Sequence, residues 1–422
     1  MGFPPELSGK GPSPQCKTEV RDLAIFGGAP AFTEALHVGR PNVGDRAAFL
    51  CRVNTILDSR WLSNNGIYVQ EFERRIAQFL GVGHCIAVCN ATAGLEITMH
   101  ALGLTGEVVL PSFTFIAAAH AVQRVGLIPV FCDVDPITHT IAPDAVERCL
   151  TPRTSAILGV HLWGRACEVD ALQRIAMDHD LKLLFDAAHA FGGSYHRRMI
   201  GGFGDAEVFS FHATKFVNTF EGGAITTNND RLAAHIRRMA NFGFAGYDTV
   251  VEWGTNAKMS EIAAAMGLTG LEQADEFIAL NRLRYQQYAQ GLEEIPGVRL
   301  MTYDESEHNN YQYVVLEIEA RTFGVTRDQL VQVLWAENVL ARRYFYPGCH
   351  RMEPYRSLFP GAGERLPHTE RLTNEVLVLP AGAALYPQDV ETILAILRFV
   401  AGHADGVRAQ LTEQAPVGQG KR

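Results

Sequence analysis

The stretch SFHATKFVNTFEGG, Ser210 to Gly223, places Lys215 just past an apolar run that reads as a strand and ahead of a Gly-Gly turn. A lysine there offers one particular chemistry. An amine partly freed of its proton, by desolvation or by nearby positive charge, is a nucleophile that forms an imine with an aldehyde. Strand ends are also where α/β sheets place their sites. Taken alone, Lys215 reads as a solvated surface lysine, the usual setting of that residue type. A second strand end upstream alters this. In LLFDAAHAFG, Asp186 directly follows the apolar run Leu183 to Phe185, and a carboxylate that close to a buried run needs a cationic partner.

The pyridinium nitrogen of pyridoxal phosphate (PLP) is such a partner, because an aspartate beside it keeps the ring protonated as an electron sink. His189 can then meet the phenolic oxygen of the same ring. Without a cofactor, Asp186 would cap the following helix and His189 would be satisfied locally. A phosphate also needs a cradle. AVCNATAGLEITMHALG supplies a strand, a small-residue turn and a helix start with the amides of Thr92 and Ala93, and helix N-termini attract anions. Asn90 or Thr92 serves equally as an ordinary N-cap. Ser210 adds a hydroxyl to the cradle or makes a strand-end hydrogen bond. Phe115, in PSFTFIAAAH, offers a ring face for stacking or packs in the core.

The elements that must position these residues read as an α/β arrangement. Short apolar runs at Val108 to Pro111, Pro129 to Cys132, Ala156 to His161, Leu181 to Asp186, Glu207 to Phe211 and Gly223 to Thr227 predict buried strands. Helical stretches at Ala91 to Leu102, Ile116 to Val125, Glu168 to His179 and Arg231 to Asn241 alternate with them, which predicts a mainly parallel sheet. Beyond about residue 270 a long helix, Leu271 to Ile295, leads into a smaller α+β unit. That unit has strands near Gln312 to Glu319 and Val339 to Phe345, and helices near Arg327 to Glu337 and Pro387 to Ala401. The expected division is an N-terminal segment over 1–40, partly disordered, a large domain over 41–270, a small one over 271–405 and a flexible tail over 406–422.

Composition sets outer limits. The chain has 422 residues, 47% hydrophobic and 20% charged, with a formal charge of −9, so it lacks the basic excess of nucleic-acid binders. No run is long enough to span a bilayer and the first residues lack a signal-peptide core, so a cytoplasmic protein without membrane or nucleic-acid partners is expected. The eight cysteines are scattered without zinc-ligand spacing, so no metal site is expected.

The motifs AIFGGAPAF, DSRWLSNNG, NATAGL, PSFTF, HLWG, FDAAHAFG, SFHATKFVNTFEGG, GTNAKMSEIAAAMGL and YFYPGCH, in this order from Ala24 to His350, resemble the DegT/StrS-type sugar-nucleotide aminotransferases. The resemblance implies the aspartate-aminotransferase-like (type I PLP) fold, with PLP and pyridoxamine phosphate as alternating cofactor forms. It implies that Lys215 carries the cofactor as a Schiff base and acts as the catalytic base. Asp186 would pair with the pyridinium and His189 with the phenolic oxygen. Thr92, Ala93 and Ser210 would hold the phosphate, Phe115 the ring face, and Asn256 the phosphate in the neighbouring subunit of a homodimer with shared active sites. Members that dehydrate sugars replace the lysine with histidine, so Lys215 points to transamination. The finer pattern is similar to members that aminate a dTDP-4-keto-6-deoxyhexose at C4 with L-glutamate, which leaves as 2-oxoglutarate. Members that aminate C3 usually carry a motif of the form SFYPGKNLG. Ser63, Asn64, Lys258 and His350 are the candidates for nucleotide contact, and Trp61 reads as packing. Other readings are a 3-aminotransferase, a non-catalytic nucleotide-sugar binder, or a different PLP enzyme such as an aldolase or desulfurase.

Overall fold

The computed structural model describes residues 17–414. A seven-stranded sheet runs in the order His84–Val88, Gly223–Thr227, Ala206–Ser210, Lys182–Asp186, Thr154–Val160, Glu107–Pro111, Ile128–Cys132. Gly223–Thr227 pairs antiparallel with both neighbours and every other pairing is parallel. The strands are apolar almost throughout because helices cover both faces. Each of the six expected strands of this sheet is present to within two residues of its expected ends.

A second, three-stranded antiparallel sheet follows, with Val314–Ile318 between Val298–Leu300 and Val376–Leu379. Its hydrophobic neighbours come from the helices Ala274–Leu292, Arg327–Ala336 and Pro387–Gly402. No described helix is long and apolar enough to cross a membrane.

Three expectations change. The long helix expected from Leu271 is Ala274–Leu292, and Leu271 instead ends a separate helix, Glu261–Leu271. That helix is apolar on all sides and buried against Ile67–Leu80, where a Cβ on Gly267 would lie 2.5 Å from the Phe72 ring. The strand expected over Val339 to Phe345 is only Val339–Leu340, which pairs in parallel with Leu36–His37; the chain then turns away to line a cavity. The helix Ala404–Gln414 occupies the start of the expected tail, because Val407 is fully buried and Arg408 donates to the Gly324 carbonyl at 2.9 Å. Residues 415–422 lie outside the described part of the chain.

The expected N-terminal disorder over 1–40 falls partly outside the described residues, and from Lys17 onward the segment is tied down. The buried Glu337 carboxylate accepts the Ala24 and Ala31 amides at 2.8 and 2.7 Å and pairs with Lys17 at 3.0 Å.

An ionic knot centred on the buried Glu317 joins the two sheets. Glu317, on the central strand of the small sheet, meets His139 at 2.8 Å, Arg371 at 3.0 Å and Arg299. Burial opposes ionisation of Glu317, but His139 and the two guanidiniums outweigh it and hold the carboxyl down at about 2. A depressed carboxylate stabilises the fold above its unfolded value and loses that contribution as pH falls toward the folded one. Wild-type thermal midpoints should therefore fall between about pH 4.5 and pH 2 more steeply than those of Glu317→Gln, measured by circular dichroism across that window.

Candidate active site

Register brings the relevant strand ends to one edge of the large sheet. Asp186 lies opposite Val160 on one side and Val208 on the other, while Gly223 lies opposite both Ser210 and Val88. The helix Ala91–Ala101 starts at this edge, so close to Gly223 that a Cβ there would lie 2.7 Å from the Ala91 nitrogen. Only glycine permits that approach. The loop carrying Lys215 is closed by a turn, with Lys215 N donating to His212 O at 2.8 Å. It is also anchored reciprocally, the Asn42 amide donating to Phe216 O at 2.9 Å and the Asn218 amide to Asn42 O at 2.8 Å.

Lys215 Nζ donates to Tyr313 Oη at 3.2 Å and forms no salt bridge among the described residues. Burial lowers its pKa from 10.5 to about 8, with the Asp186 charge acting in the opposite sense. Asp186 is 7% exposed. Burial raises its carboxyl above the ordinary range, while the Ala188 amide (3.0 Å), Lys215 and His161 partly restrain the rise. Its Oδ2 has no hydrogen-bond partner among the described residues. Burial, helped by the Lys215 charge, pushes the His189 imidazole well below its usual value, so the ring is neutral.

These groups border a cleft of about 960 Å³, large enough for a cofactor and a substrate together. Thr92, Phe115, Asp186, His189, Ser210 and Lys215 all line it. The donor set fits PLP: a buried carboxylate with a spare oxygen suits a pyridinium N–H, and a lysine of lowered basicity suits an aldehyde. Phe115, far from packing in a core, is 58% exposed.

Several expected residues lie elsewhere. The Ala93 amide is already satisfied by its N-cap, Asn90 Oδ1, at 2.8 Å, which leaves the Thr92 amide at the helix start for an anion. His350 does not border the cleft. Its ring is buried, with Nδ1 2.7 Å from Ser112 Oγ and Nε2 2.7 Å from Glu370. Asn256, Lys258, Ser63 and Asn64 do not border the cleft of their own chain. Lys258 donates to Asn256 Oδ1 at 2.6 Å and lies 4.5 Å from the Phe242 ring centre. Trp61, expected as packing, is 58% exposed beside Ile67 on a separate groove.

The sequence reading also missed lining residues. Tyr313, Arg40, Arg342 and Tyr344 all line the cleft, brought there by the start of the small sheet's central strand, the N-terminal segment and the chain beyond Leu340. Arg40 and Arg342 have no acidic partner among the described residues. No local pattern marks them, since their role depends on where distant segments meet.

The model of the DegT/DnrJ/EryC1/StrS aminotransferase family matches residues 45–398. A Shigella dysenteriae relative named dTDP-4-amino-4,6-dideoxy-D-glucose transaminase is 35% identical, covering 86% of this chain and 99% of its own. GDP-perosamine synthase from Caulobacter vibrioides is 36% identical, covering 81% of this chain and 92% of its own. The crystal structure of DesI, solved in the presence of its TDP-sugar product, superposes with a TM-score of 0.88 at 50% identity, covering 93% of this chain and 100% of its own. With a lysine, a buried aspartate and a cofactor-sized cleft at the sheet edge, and with this breadth of similarity, the chain belongs to the PLP-dependent DegT/DnrJ/EryC1/StrS aminotransferase family.

Proposed function

We propose that this protein transfers the amino group of L-glutamate to C4 of dTDP-4-keto-6-deoxy-D-glucose, giving dTDP-4-amino-4,6-dideoxy-D-glucose and 2-oxoglutarate. The observation that carries the reading is the Lys215 and Asp186 pair at the floor of the cleft, together with half-identity to DesI across nearly the whole chain.

Lys215 is the residue that would hold PLP covalently, and Asp186 Oδ2 would accept from the pyridinium N–H. His189 would meet the phenolic oxygen, the Thr92 amide and Ser210 hydroxyl the phosphate, and Phe115 the ring face. Bound PLP supplies a conjugated cationic ring that takes up the electron pair left when a C–H bond breaks. Lys215 Nζ removes the donor's Cα proton and, in the second half-reaction, delivers a proton to C4 of the sugar. Tyr313 Oη receives that amine whenever it is not otherwise engaged, which keeps it in the cleft. Arg40 and Arg342 are the cations available for the substrate diphosphate.

The working unit is a homodimer in this reading. Asn256, exposed and outside its own cleft, would reach the partner's cofactor phosphate, with Lys258 beside it and Ser63 and Asn64 contributing across the same boundary. The exposed Trp61, Leu62 and Ile67 support it, since apolar side chains of this size call for cover. A reducing, cytoplasmic setting suits the seven described cysteines, all of them free.

Cofactor-free protein should take up PLP at a rate that rises with pH and reaches half its plateau near the Lys215 value of about 8, because only the neutral amine attacks the aldehyde. Stopped-flow absorbance measures this, and a midpoint near 10.5 would refute a desolvated Lys215. Lys215→Ala should still bind PLP but lose turnover by roughly 1,000-fold or more. Offered the 4-keto and 3-keto isomers of dTDP-6-deoxyglucose with L-glutamate, the enzyme should place nitrogen at C4, located by NMR. Amination of the 3-keto compound alone would overturn the C4 assignment.

A further inference from the structure

The turn Leu162–Gly164 follows the strand that ends at Val160, and its middle residue adopts an unusual backbone. Trp163 is fully buried with φ 60° and ψ 11°, in the left-handed region. A bulky side chain is disfavoured there and stays only where its surroundings hold it. They do so from several sides. The indole stacks on Phe345, with ring centres 5.2 Å apart, and Tyr303 Oη lies 3.0 Å from both the Trp163 and the Tyr313 carbonyls, which share its one proton. The indole Nε1 lies 3.2 Å from His139 Nδ1, and His139 Nε2 lies 2.8 Å from Glu317.

Hydrogen-bond direction follows from chemistry. An indole N–H only donates, so His139 Nδ1 carries no proton and its Nε2–H donates to the carboxylate. Glu317 is in turn held by Arg299 and Arg371, so the clamp on Trp163 has one consistent set of proton positions. The backbone amide of Trp163 lies 3.4 Å from His189 Nδ1. An amide also only donates, so His189 Nδ1 accepts and the ring proton sits on Nε2. Among the described residues nothing pairs with that Nε2, and the ring borders the cleft. Asn310 Nδ2 donates to the His189 carbonyl at 2.8 Å and fixes the residue's backbone.

We propose that Trp163, clamped through His139 and Glu317, is a positioning residue that sets His189 in its neutral Nε2–H tautomer as a ready hydrogen-bond donor to an oxygen bound in the cleft. That the oxygen is the phenolic one rests on the PLP reading of the cleft; the tautomer does not.

The tautomer is read directly by nitrogen NMR of cofactor-free protein labelled with 15N-histidine, with a His189→Gln spectrum identifying the resonances. The expected result is a protonated Nε2 and a bare Nδ1 throughout about pH 6 to 8. An imidazolium, or the Nδ1–H tautomer, would overturn the inference without any variant having to fold. Two substitutions then test the clamp. His139→Phe removes the acceptor for the indole, and should give mixed His189 tautomers and about tenfold weaker PLP binding. His139→Gln, whose carbonyl can accept the indole N–H, should restore both. Unchanged tautomer and affinity in His139→Phe would sink the clamp. Should that variant fail to fold, Trp163→Phe keeps a stacked ring without the indole N–H and is read by the same two measurements. A chain with the expected tautomer that bound no PLP would leave the clamp standing and remove the cofactor reading instead.

Discussion

Two groups of opposite charge, the half-buried Lys215 amine and the buried Asp186 carboxylate, border the cleft at one edge of the sheet with no salt bridge between them. Burial penalises the charged form of each, lowering the lysine and raising the aspartate, and their mutual attraction compensates only in part. The fold therefore maintains two under-satisfied groups that a cationic ring bearing an aldehyde would satisfy together. Much of the surrounding architecture serves to keep them there. Parallel register brings Asp186 to the edge, a glycine allows the helix Ala91–Ala101 to start beside it, and reciprocal asparagine bonds fix the loop that carries the lysine.

The cleft is not the product of the large sheet alone. Its walls include His37 to Pro41 from the N-terminal segment, Tyr313 beside the small sheet and the chain from Leu340 to Phe345. The N-terminal wall is held by buried Glu337, which binds two backbone amides and a lysine. Glu317 ties the small sheet to His139 and through it to Trp163. An ionised group at such a buried position stabilises only while its partners remain, so both carboxylates couple the shape of the cleft to the docking of distant segments.

Transamination asks one amine to be a nucleophile, a leaving group and a base in turn. A lysine at its ordinary basicity is protonated near neutral pH and serves poorly in each role, whereas one lowered to about 8 has a useful neutral fraction. Tyr313 gives that amine a resting partner, and burial keeps the phenol itself un-ionised by pushing it well above its ordinary value. The neighbouring His189 is neutral for the same reason, which suits a hydrogen-bond donor to the cofactor and not a competing cation.

Local pattern by itself determined the strand and helix alternation, the buried run before Asp186 and the loop position of Lys215, because apolar periodicity and strand-end placement are written over a few consecutive residues. The type I fold and the roles proposed for Thr92, Ser210, Phe115 and His189 came from motif order along the chain. Tertiary structure decided which candidates share a cleft. It set His350, whose two ring nitrogens are satisfied by Ser112 and Glu370, outside the cleft, as it did Asn256 and Lys258. It also supplied Arg40 together with Tyr313 and Arg342, which lie far along the chain from it. The physical reason is the same in each case: a side chain's burial, charge state and partners are properties of the space around it, and that space is assembled only when distant segments pack.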